Sequence, residues 1–318
     1  MEKSEKTGIW LQKSWVVWAG ALLCCLLWGS AFPGIKIGYR LFGIGADDTA
    51  AQILFAGCRF VLAGILAVFL GSISGRKFLI PQKEAIGPVL WLSLLQTVLQ
   101  YVFFYVGLAH TSGVKASVVE AMNVFVAILV ASILFHQERL TTKKMIGCAV
   151  GFLGVVIINL NGMDFQISLM GEGFIFFSTV AYAFSSVFLK RFSVKYNPVM
   201  LSGYQFAVGG CLMILIGFFM GGRIHQVSAA GAGLLIYLAM VSAVAYSVWG
   251  ILLKYNPVSK VTVFGFMNPV FGVLLSALLL NEREQAAGGV SILALILVCI
   301  GIYVVNFEKK GTDGPNEG

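Results

Sequence analysis

The chain consists of long apolar stretches separated by short polar segments that hold nearly all of its charged residues. A stretch of about 20 apolar residues crosses the ~30 Å hydrocarbon core of a bilayer as an α-helix. The stretches run continuously and do not alternate in short segments, so a β-barrel pattern is absent. Ten membrane-spanning helices are predicted, at 16–38, 50–73, 87–108, 114–135, 143–161, 171–193, 198–220, 229–252, 257–280 and 287–306.

The composition agrees with this pattern. Of the 318 residues, 58% are hydrophobic and 11% are charged, whereas soluble domains carry roughly 25% charged residues. The connections between the apolar stretches are too short to hold a soluble domain. We therefore predict an all-α polytopic membrane protein with a polar N-terminal segment at 1–15 and a disordered polar tail at 307–318.

The positions of Lys and Arg predict the orientation. Sixteen of them lie in segments on the side of the N-terminus, and five lie on the opposite side. Because cytoplasmic loops carry the excess of positive charge, both termini of this multi-pass protein are expected on the cytoplasmic side of the inner membrane. The net charge of +8 is then a consequence of topology, and no nucleic-acid partner is expected.

The second half of the chain repeats the first. The segment MNVFVAILVASILFHQER at 122–139 returns as MNPVFGVLLSALLLNER at 267–283, which is 145 positions later. A shift one residue longer places GYQFAVGG (203–210) on GCRFVLAG (57–64). Tyr246 falls on Tyr101 at the original shift of 145. These matches divide the chain into two repeats, at 16–161 and 171–306.

An odd number of helices in each repeat determines how the two copies lie in the membrane. Five crossings per copy force the second copy to be inverted relative to the first. Two inverted copies give two states of similar energy, one open to each side, which is a physical basis for alternating access. The alternative is a duplication that was kept only for packing. The loops agree with inversion, because HQERLTTKK after the fourth helix is basic and NEREQAAGG after the ninth has lost the lysines.

Several local motifs accompany the repeat. The first helix carries WGSAFPGIK (28–36), the second contains an Arg before an Ala- and Gly-rich stretch, and the fourth and ninth end in HQERLT and NERE. Together with the ten inverted helices, they resemble the EamA-type transporters of the drug/metabolite transporter superfamily. The resemblance implies a central cavity and export of small metabolites or amino acids. This chain departs from the family in the fourth helix, where Asn123-Val124-Phe125 replaces the proline that the ninth keeps as Pro269.

Two ionisable side chains are predicted to lie within the bilayer, where charge is costly and usually functional. Arg59, in the second helix, can bind a substrate carboxylate through two hydrogen bonds. Its alternative role is structural pairing with a neighbouring helix. Glu120, early in the fourth helix and on the same face as Asn123, is a candidate for proton coupling. Its alternative is a solvated position at the rim.

Uncharged polar and aromatic side chains complete the predicted binding site. The further candidates for the cavity wall are Gln96, Gln100, Tyr101, Tyr105, Asn123, Tyr182, Tyr204, Gln205, Tyr246, Trp249 and Asn268. Such a wall suits an amphipathic solute with an apolar or aromatic part, while interfacial belts are the alternative for the aromatic residues. Pro33 and Pro269 interrupt helical hydrogen bonding and are candidate hinges, or else packing kinks.

The sequence lacks the motifs of an enzyme. No GxxxxGK[ST] loop is present, the histidines have no metal-ligand spacing, and all six cysteines lie in apolar stretches. We expect no catalytic residue, no metal and no cofactor. The prediction is a secondary transporter that exports a small metabolite such as an amino acid, with membrane lipid and the small-molecule substrate as its partners. A passive facilitator and a non-transporting accessory protein are the alternatives, and monomer and homodimer both stay open.

Overall fold

The computed structural model describes residues 8–45, 47–111, 113–159, 167–279 and 289–307. Every regular element in these ranges is helical. The polar tail after residue 307, most of the segment that follows the ninth helix and the first seven residues lie outside the described residues.

Ten helical units follow one another through the described ranges, each within a few residues of a predicted helix. Several are built from consecutive pieces of different helical type. They are α1 (Ser14–Phe42), α2 (Thr49–Ser74), α3 (Lys83–Ala85, Ile86–Leu92, Ser93–Leu99 and Gln100–Ala109), α4 (Gly113–Ala121, Asn123–Leu129 and Val130–Leu134), α5 (Thr142–Ile158), α6 (Leu169–Gly173 and Phe174–Ser193), α7 (Pro198–Phe219), α8 (Ala229–Tyr255), α9 (Val258–Thr262, Val263–Phe266 and Met267–Leu279) and α10 (Gly289–Asn306).

Polar side chains start many of these helices. Asp48 accepts a hydrogen bond from the Ala51 N–H at the start of α2. Asn197 accepts from two backbone N–H groups at the start of α7 and is followed by Pro198 in the first turn, where a missing N–H costs nothing. Thr141, Ser168 and Ser228 cap α5, α6 and α8 in the same manner. The short polar segments therefore define the helix ends.

Most of the helices are long and apolar enough to cross a bilayer. Seven candidate spans of 18 or more residues lie in the described part of the chain. The apolar helix of α4 is shorter, as are α5, with 17 residues, and the apolar part of α10. A 17-residue helix is about 26 Å long, close to the thickness of the hydrocarbon core. The all-α polytopic membrane fold is confirmed.

Irregular helical turns mark the middle of the bundle. The Ser93–Leu99 piece of α3 is π-helical, and a 3₁₀ turn at Val263–Phe266 interrupts α9. Pro269 is the third residue of the piece that follows, where its missing N–H leaves no helical carbonyl unpaired. Pro33 instead lies inside the continuous helix α1. One turn earlier, a Cβ on Gly29 would lie 2.5 Å from the Phe271 Cβ of α9.

The pattern of helix contacts has an approximate twofold symmetry that exchanges the first five helices for the last five. The helix pairs α2–α7 and α5–α10 map onto themselves, and both are extensive. The α1–α8 contact corresponds to α6–α3, and α1–α9 corresponds to α6–α4. Because each copy has five helices, an odd number, two copies related in this way are inverted relative to each other. The chain therefore forms two inverted five-helix repeats.

Glycines at matched repeat positions bring α2 and α7 into backbone contact. A Cβ on Gly57 would lie 2.9 Å from the Gly210 carbonyl oxygen, and a Cβ on Gly64 would lie 2.5 Å from that of Gly203. The repeat pairs Gly57 with Gly203 and Gly64 with Gly210, so the two contacts exchange under the symmetry. Small residues allow this close approach of helices in lipid.

Aromatic residues lie on the symmetry axis itself. Phe60 and its counterpart Phe206 stack with ring centroids 5.1 Å apart. Phe60 packs on Tyr101 at 4.5 Å, and Phe206 packs on Tyr246 at 4.8 Å. The two tyrosine hydroxyls are hydrogen-bonded at 3.0 Å. The axis therefore passes between side chains that the repeat makes equivalent.

Candidate functional site

A cavity of about 480 Å³ lies inside the bundle. We call the end of the bundle where α1 begins the proximal end and the opposite one the distal end. The cavity is lined by the distal halves of α1, α2, α3, α4 and α6 and by residues in the middle of α8 and α9. It reaches outward to Lys36, which is exposed, and to Thr111 after the end of α3.

Arg59 of α2 is a buried cation on the cavity wall, with 3% of its surface exposed. Its Nε and Nη2 donate to the Ser242 hydroxyl of α8, at 3.2 and 2.8 Å, and Nε also approaches the Leu238 carbonyl at 3.3 Å. The guanidinium lies over the Phe60 ring at 5.3 Å. Nη1 donates to no described residue, so the guanidinium keeps donors for a ligand.

Glu120 of α4 lines the same cavity. Among the described residues its carboxyl group forms no hydrogen bond and no ion pair. Asn123, one turn further along α4, and its repeat counterpart Asn268 on α9 also line the cavity. The Asn268 Oδ1 is buried and has no hydrogen-bond partner among the described residues. The site therefore combines a cation, a carboxyl group and amide groups that are available to a bound molecule.

Aromatic side chains form much of the remaining wall. Tyr101 and Tyr246 lie side by side, and Tyr105 and Tyr182 are also buried on the wall. The Oε1 of Gln100, a residue with 8% exposure, has no described partner. A wall of rings with a few unengaged polar atoms is typical of small-molecule sites.

The cavity ends toward the proximal side on a floor of packed rings. Trp28 lies 5.1 Å from Tyr246 and 4.9 Å from Trp249, measured between ring centroids. Trp249 is 1% exposed, and Phe264 packs below it against Trp18. The bundle is thus closed between the cavity and the proximal end.

A buried polar cluster holds the proximal end together. Glu138, after α4, accepts hydrogen bonds from the Ser259 N–H at 3.0 Å and the Ser259 hydroxyl at 2.5 Å, at the start of α9. Lys144 of α5 forms an ion pair with Glu138 at 3.2 Å, with both side chains less than a tenth exposed. Lys190 of α6 donates to the Asn256 carbonyl after α8. The Glu138–Ser259 bonds connect the two repeats at the closed end, while the other two contacts each lie within one repeat.

The structure brings together nine of the thirteen residues predicted for the cavity. These are Arg59, Gln100, Tyr101, Tyr105, Glu120, Asn123, Tyr182, Tyr246 and Asn268. Gln96, Tyr204, Gln205 and Trp249 lie outside it. Gln96 and Gln205 are fully buried and hydrogen-bonded to each other at 3.1 Å, Tyr204 packs against the hydrophobic core, and Trp249 forms the floor.

Sequence analysis missed the contribution of α1. Trp28, Phe32, Lys36 and Tyr39 line the cavity and are spaced by three or four residues, so they share one helical face. This spacing is the signal that identifies the face. The predicted helix ends at 38, so Lys36 lies in its last turn and is assigned to the five charges on the side opposite the N-terminus. The helix continues to Phe42. Gln52 of α2 and Thr111 were missed as well.

The fold and the cavity define a class of protein. Two inverted five-helix repeats around a polar and aromatic cavity, closed at one end, are the architecture of a membrane transporter. The model of the EamA-like transporter family matches residues 13–160 and 169–307. The chain belongs to this family, within the drug/metabolite transporter superfamily.

Individual relatives agree with this assignment. An uncharacterised transporter of Archaeoglobus fulgidus is 30% identical over 92% of this chain and 98% of its own length. A probable amino-acid metabolite efflux pump of Escherichia coli is 28% identical over 91% and 94%. A solved crystal structure matches with a TM-score of 0.73 at 18% identity over 90% and 94% of the two chains, which supports the fold.

Proposed function

We propose that the protein is a secondary transporter that exports an amphipathic, amino-acid-like solute across the cytoplasmic membrane by alternating access. The observation that carries the proposal is the presence of Arg59 and Glu120 on the wall of one cavity that is otherwise polar and aromatic, apart from the exposed Lys36 at its mouth.

The charges of the cavity fit a zwitterion. Arg59 has unengaged donors that can bind a carboxylate, and the Glu120 carboxyl group, which lacks a described partner, can bind an ammonium group. Placing both ions in a cavity within the bilayer is costly unless something balances them. A solute that carries both charges would balance them at once.

The size and walls of the cavity support a small molecule with an apolar part. A volume of about 480 Å³ lies in the range of roughly 300–1,000 Å³ that is usual for ligand pockets. The rings of Trp28, Tyr101, Tyr105 and Tyr246 offer faces on which an apolar or aromatic side chain can pack. An amino acid with such a side chain, or a related metabolite, meets both requirements.

The predicted topology and one relative support export as the direction of transport. The excess of Lys and Arg at the proximal end assigns that end to the cytoplasm, so the cavity faces the outside. The structure then corresponds to a state from which exported solute would leave. The relative from Escherichia coli is named a probable amino-acid metabolite efflux pump, which supports export. The chain has no nucleotide-binding loop, so accumulation would depend on a gradient, with Glu120 as the proposed proton-coupling group.

Transport by the purified protein in proteoliposomes tests the proposal. Aromatic and aliphatic amino acids, their amides and their decarboxylated amines are supplied with and without a pH gradient. Specific counterflow that the gradient drives to accumulation is the expected result. Specific flux that is independent of the pH gradient would indicate a passive facilitator. The absence of any specific flux, although binding stabilises the protein, would indicate an accessory protein.

A further inference from the structure

A second polar cluster lies on the closed side of the symmetry axis, outside the cavity. The Thr97 hydroxyl donates to the Gln205 Oε1 at 2.6 Å, and the Gln205 Nε2 donates to the Gln96 Oε1 at 3.1 Å. All three residues are fully buried. Burying three uncharged polar side chains in the middle of an apolar bundle is costly, so their presence requires an explanation.

The repeat supplies one. Gln205 is the counterpart of Arg59, and Thr97 is the counterpart of Ser242. The contact between Gln205 and Thr97 of α3 therefore corresponds to the contact between Arg59 and Ser242 of α8, although Arg59 donates in its contact and Gln205 accepts. Arg59 faces an open cavity, while Gln205 occupies the same place on the side that is closed. In a transporter with inverted repeats, the two sides exchange these conformations.

Two further features of the cluster point to a ligand. The Nε2 of Gln96 is buried and has no hydrogen-bond partner among the described residues, which leaves a donor available on the closed side. Gln96 and Thr97 also lie in the π-helical piece of α3, and π-helical turns in α-helices are frequently found at functional sites.

We propose that Gln96, Thr97 and Gln205 form the solute site of the inward-facing state, and that this site carries no charge. The inference rests on the proposed function. The charged positions of the cavity have no charged counterparts, because Arg59 corresponds to Gln205 and Glu120 to Gly265. The polar end of the solute is therefore held by amide and hydroxyl groups on the cytoplasmic side. It meets the Arg59 cation when the protein switches to the outward-facing state.

Thiol labelling from each face tests this without a transport assay. The matched variants Thr97→Cys and Ser242→Cys place a side chain of similar size at the two counterpart positions. Membrane vesicles of both orientations are treated with impermeant methanethiosulfonates, one anionic and one cationic. Mass spectrometry locates the label, because six native cysteines are present. The wild-type protein gives their background.

Ser242 is fully buried behind the Arg59 guanidinium, which lines the cavity. We expect Ser242→Cys to react from the outside when the Arg59 side chain moves aside, with the anionic reagent faster by about tenfold because the Arg59 charge lies within hydrogen-bonding distance of this position. Arg59→Gln should remove that preference. Thr97→Cys should react only from the cytoplasmic face and at similar rates with both reagents. Gln96→Cys provides a second probe of the same cluster should Thr97→Cys fail to fold.

No labelling of the cluster from the cytoplasmic face would overturn the inference, whether or not the protein transports. If Thr97→Cys reacted from that face with the same preference for the anionic reagent as Ser242→Cys, the claim that the inward-facing site carries no charge would be wrong. A failure of the proposed function would give a different result. The wild-type protein would then move no solute, although the two positions would label from opposite faces as expected.

Discussion

Arg59 is bound to the protein on one side and open to the cavity on the other, so its replacement separates ligand binding from folding. In Arg59→Gln the new amide can form a hydrogen bond with the Ser242 hydroxyl, as the Gln205 amide oxygen accepts from the counterpart hydroxyl of Thr97 in the other repeat. We expect a stable variant whose affinity for a carboxylate-bearing solute falls at least about tenfold, since a hydrogen bond to a charged group contributes roughly 1.5–3 kcal/mol. Calorimetric titration of the purified protein measures the change.

Arg223 offers a matched control for this prediction. It is exposed, lies outside the cavity and donates to the Gly222 carbonyl at 3.0 Å. Arg223→Gln removes the same charge and should leave affinity unchanged. The prediction would be wrong if both variants lost affinity equally. It would also be wrong if Arg59→Gln lowered the affinity for the solute and the affinity for its amide analogue to the same extent.

Glu120 is the second residue whose role can be isolated. Glu120→Gln keeps the shape of the side chain and removes its ability to exchange a proton. We expect counterflow of solute without a gradient to continue and accumulation driven by a pH gradient to disappear. Glu84→Gln is the control, because Glu84 is exposed near the proximal end and lies away from the cavity. Unchanged accumulation in Glu120→Gln would remove this residue from the coupling mechanism.

At the residue scale, the sequence identified side chains that are anomalous in lipid. Arg59, Glu120, Asn123 and Asn268 stand out because a charged or amide group within an apolar stretch is costly, and the structure places all four on one cavity. The sequence could not distinguish the side of the axis to which a residue belongs. Gln205 was therefore predicted beside Arg59, although the present state opens only the distal half of the bundle.

At the scale of helices, the glycines of α2 and α7 make a stability prediction. Gly64→Ala would place a Cβ 2.5 Å from both the Ala207 nitrogen and the Gly203 oxygen, which are backbone atoms that cannot move without separating the helices. Overpacking of this kind costs roughly 1–3 kcal/mol. We expect a lower melting temperature for the variant in detergent.

A glycine with free space around it is the control. Nothing lies within 4 Å of a Cβ on Gly233 of α8, so Gly233→Ala should raise the melting temperature slightly, because alanine favours a helix over glycine by up to about 1 kcal/mol. The two substitutions are chemically identical, and a shift of the same sign in both would contradict the packing argument.

The sequence predicts helices in this protein better than it predicts their interruptions. Apolar length fixed each of the ten crossings, since lipid leaves a spanning backbone no alternative to helix. The π-helical turn at Ser93–Leu99 and the 3₁₀ turn at Val263–Phe266 carry no comparable signal. Such turns depend on packing between helices that are distant in the chain. Pro269 marked one break, but Pro33 lies within an uninterrupted α1.

At the scale of the whole molecule, the present state, which we propose faces outward, depends on what closes its proximal end. Glu138 accepts two hydrogen bonds from Ser259 of the second repeat and pairs with Lys144. An inward-facing state would have to separate α4 from α9 and break these bonds. Glu138→Gln replaces an oxygen acceptor with a donor and leaves Lys144 buried without its counter-charge. The substitution should therefore favour the inward-facing state.

The size of that shift can be bounded. Hydrogen bonds to a charged acceptor contribute roughly 1.5–3 kcal/mol each, and about 1.4 kcal/mol changes a population ratio tenfold. In a Glu138→Gln background, Thr97→Cys should label at least about tenfold faster from the cytoplasmic face, and Ser242→Cys should label more slowly from the outside. Glu84→Gln should change neither rate. Equal labelling with and without Glu138 would mean that the ring floor at Trp28 and Trp249, rather than this cluster, keeps the proximal end closed.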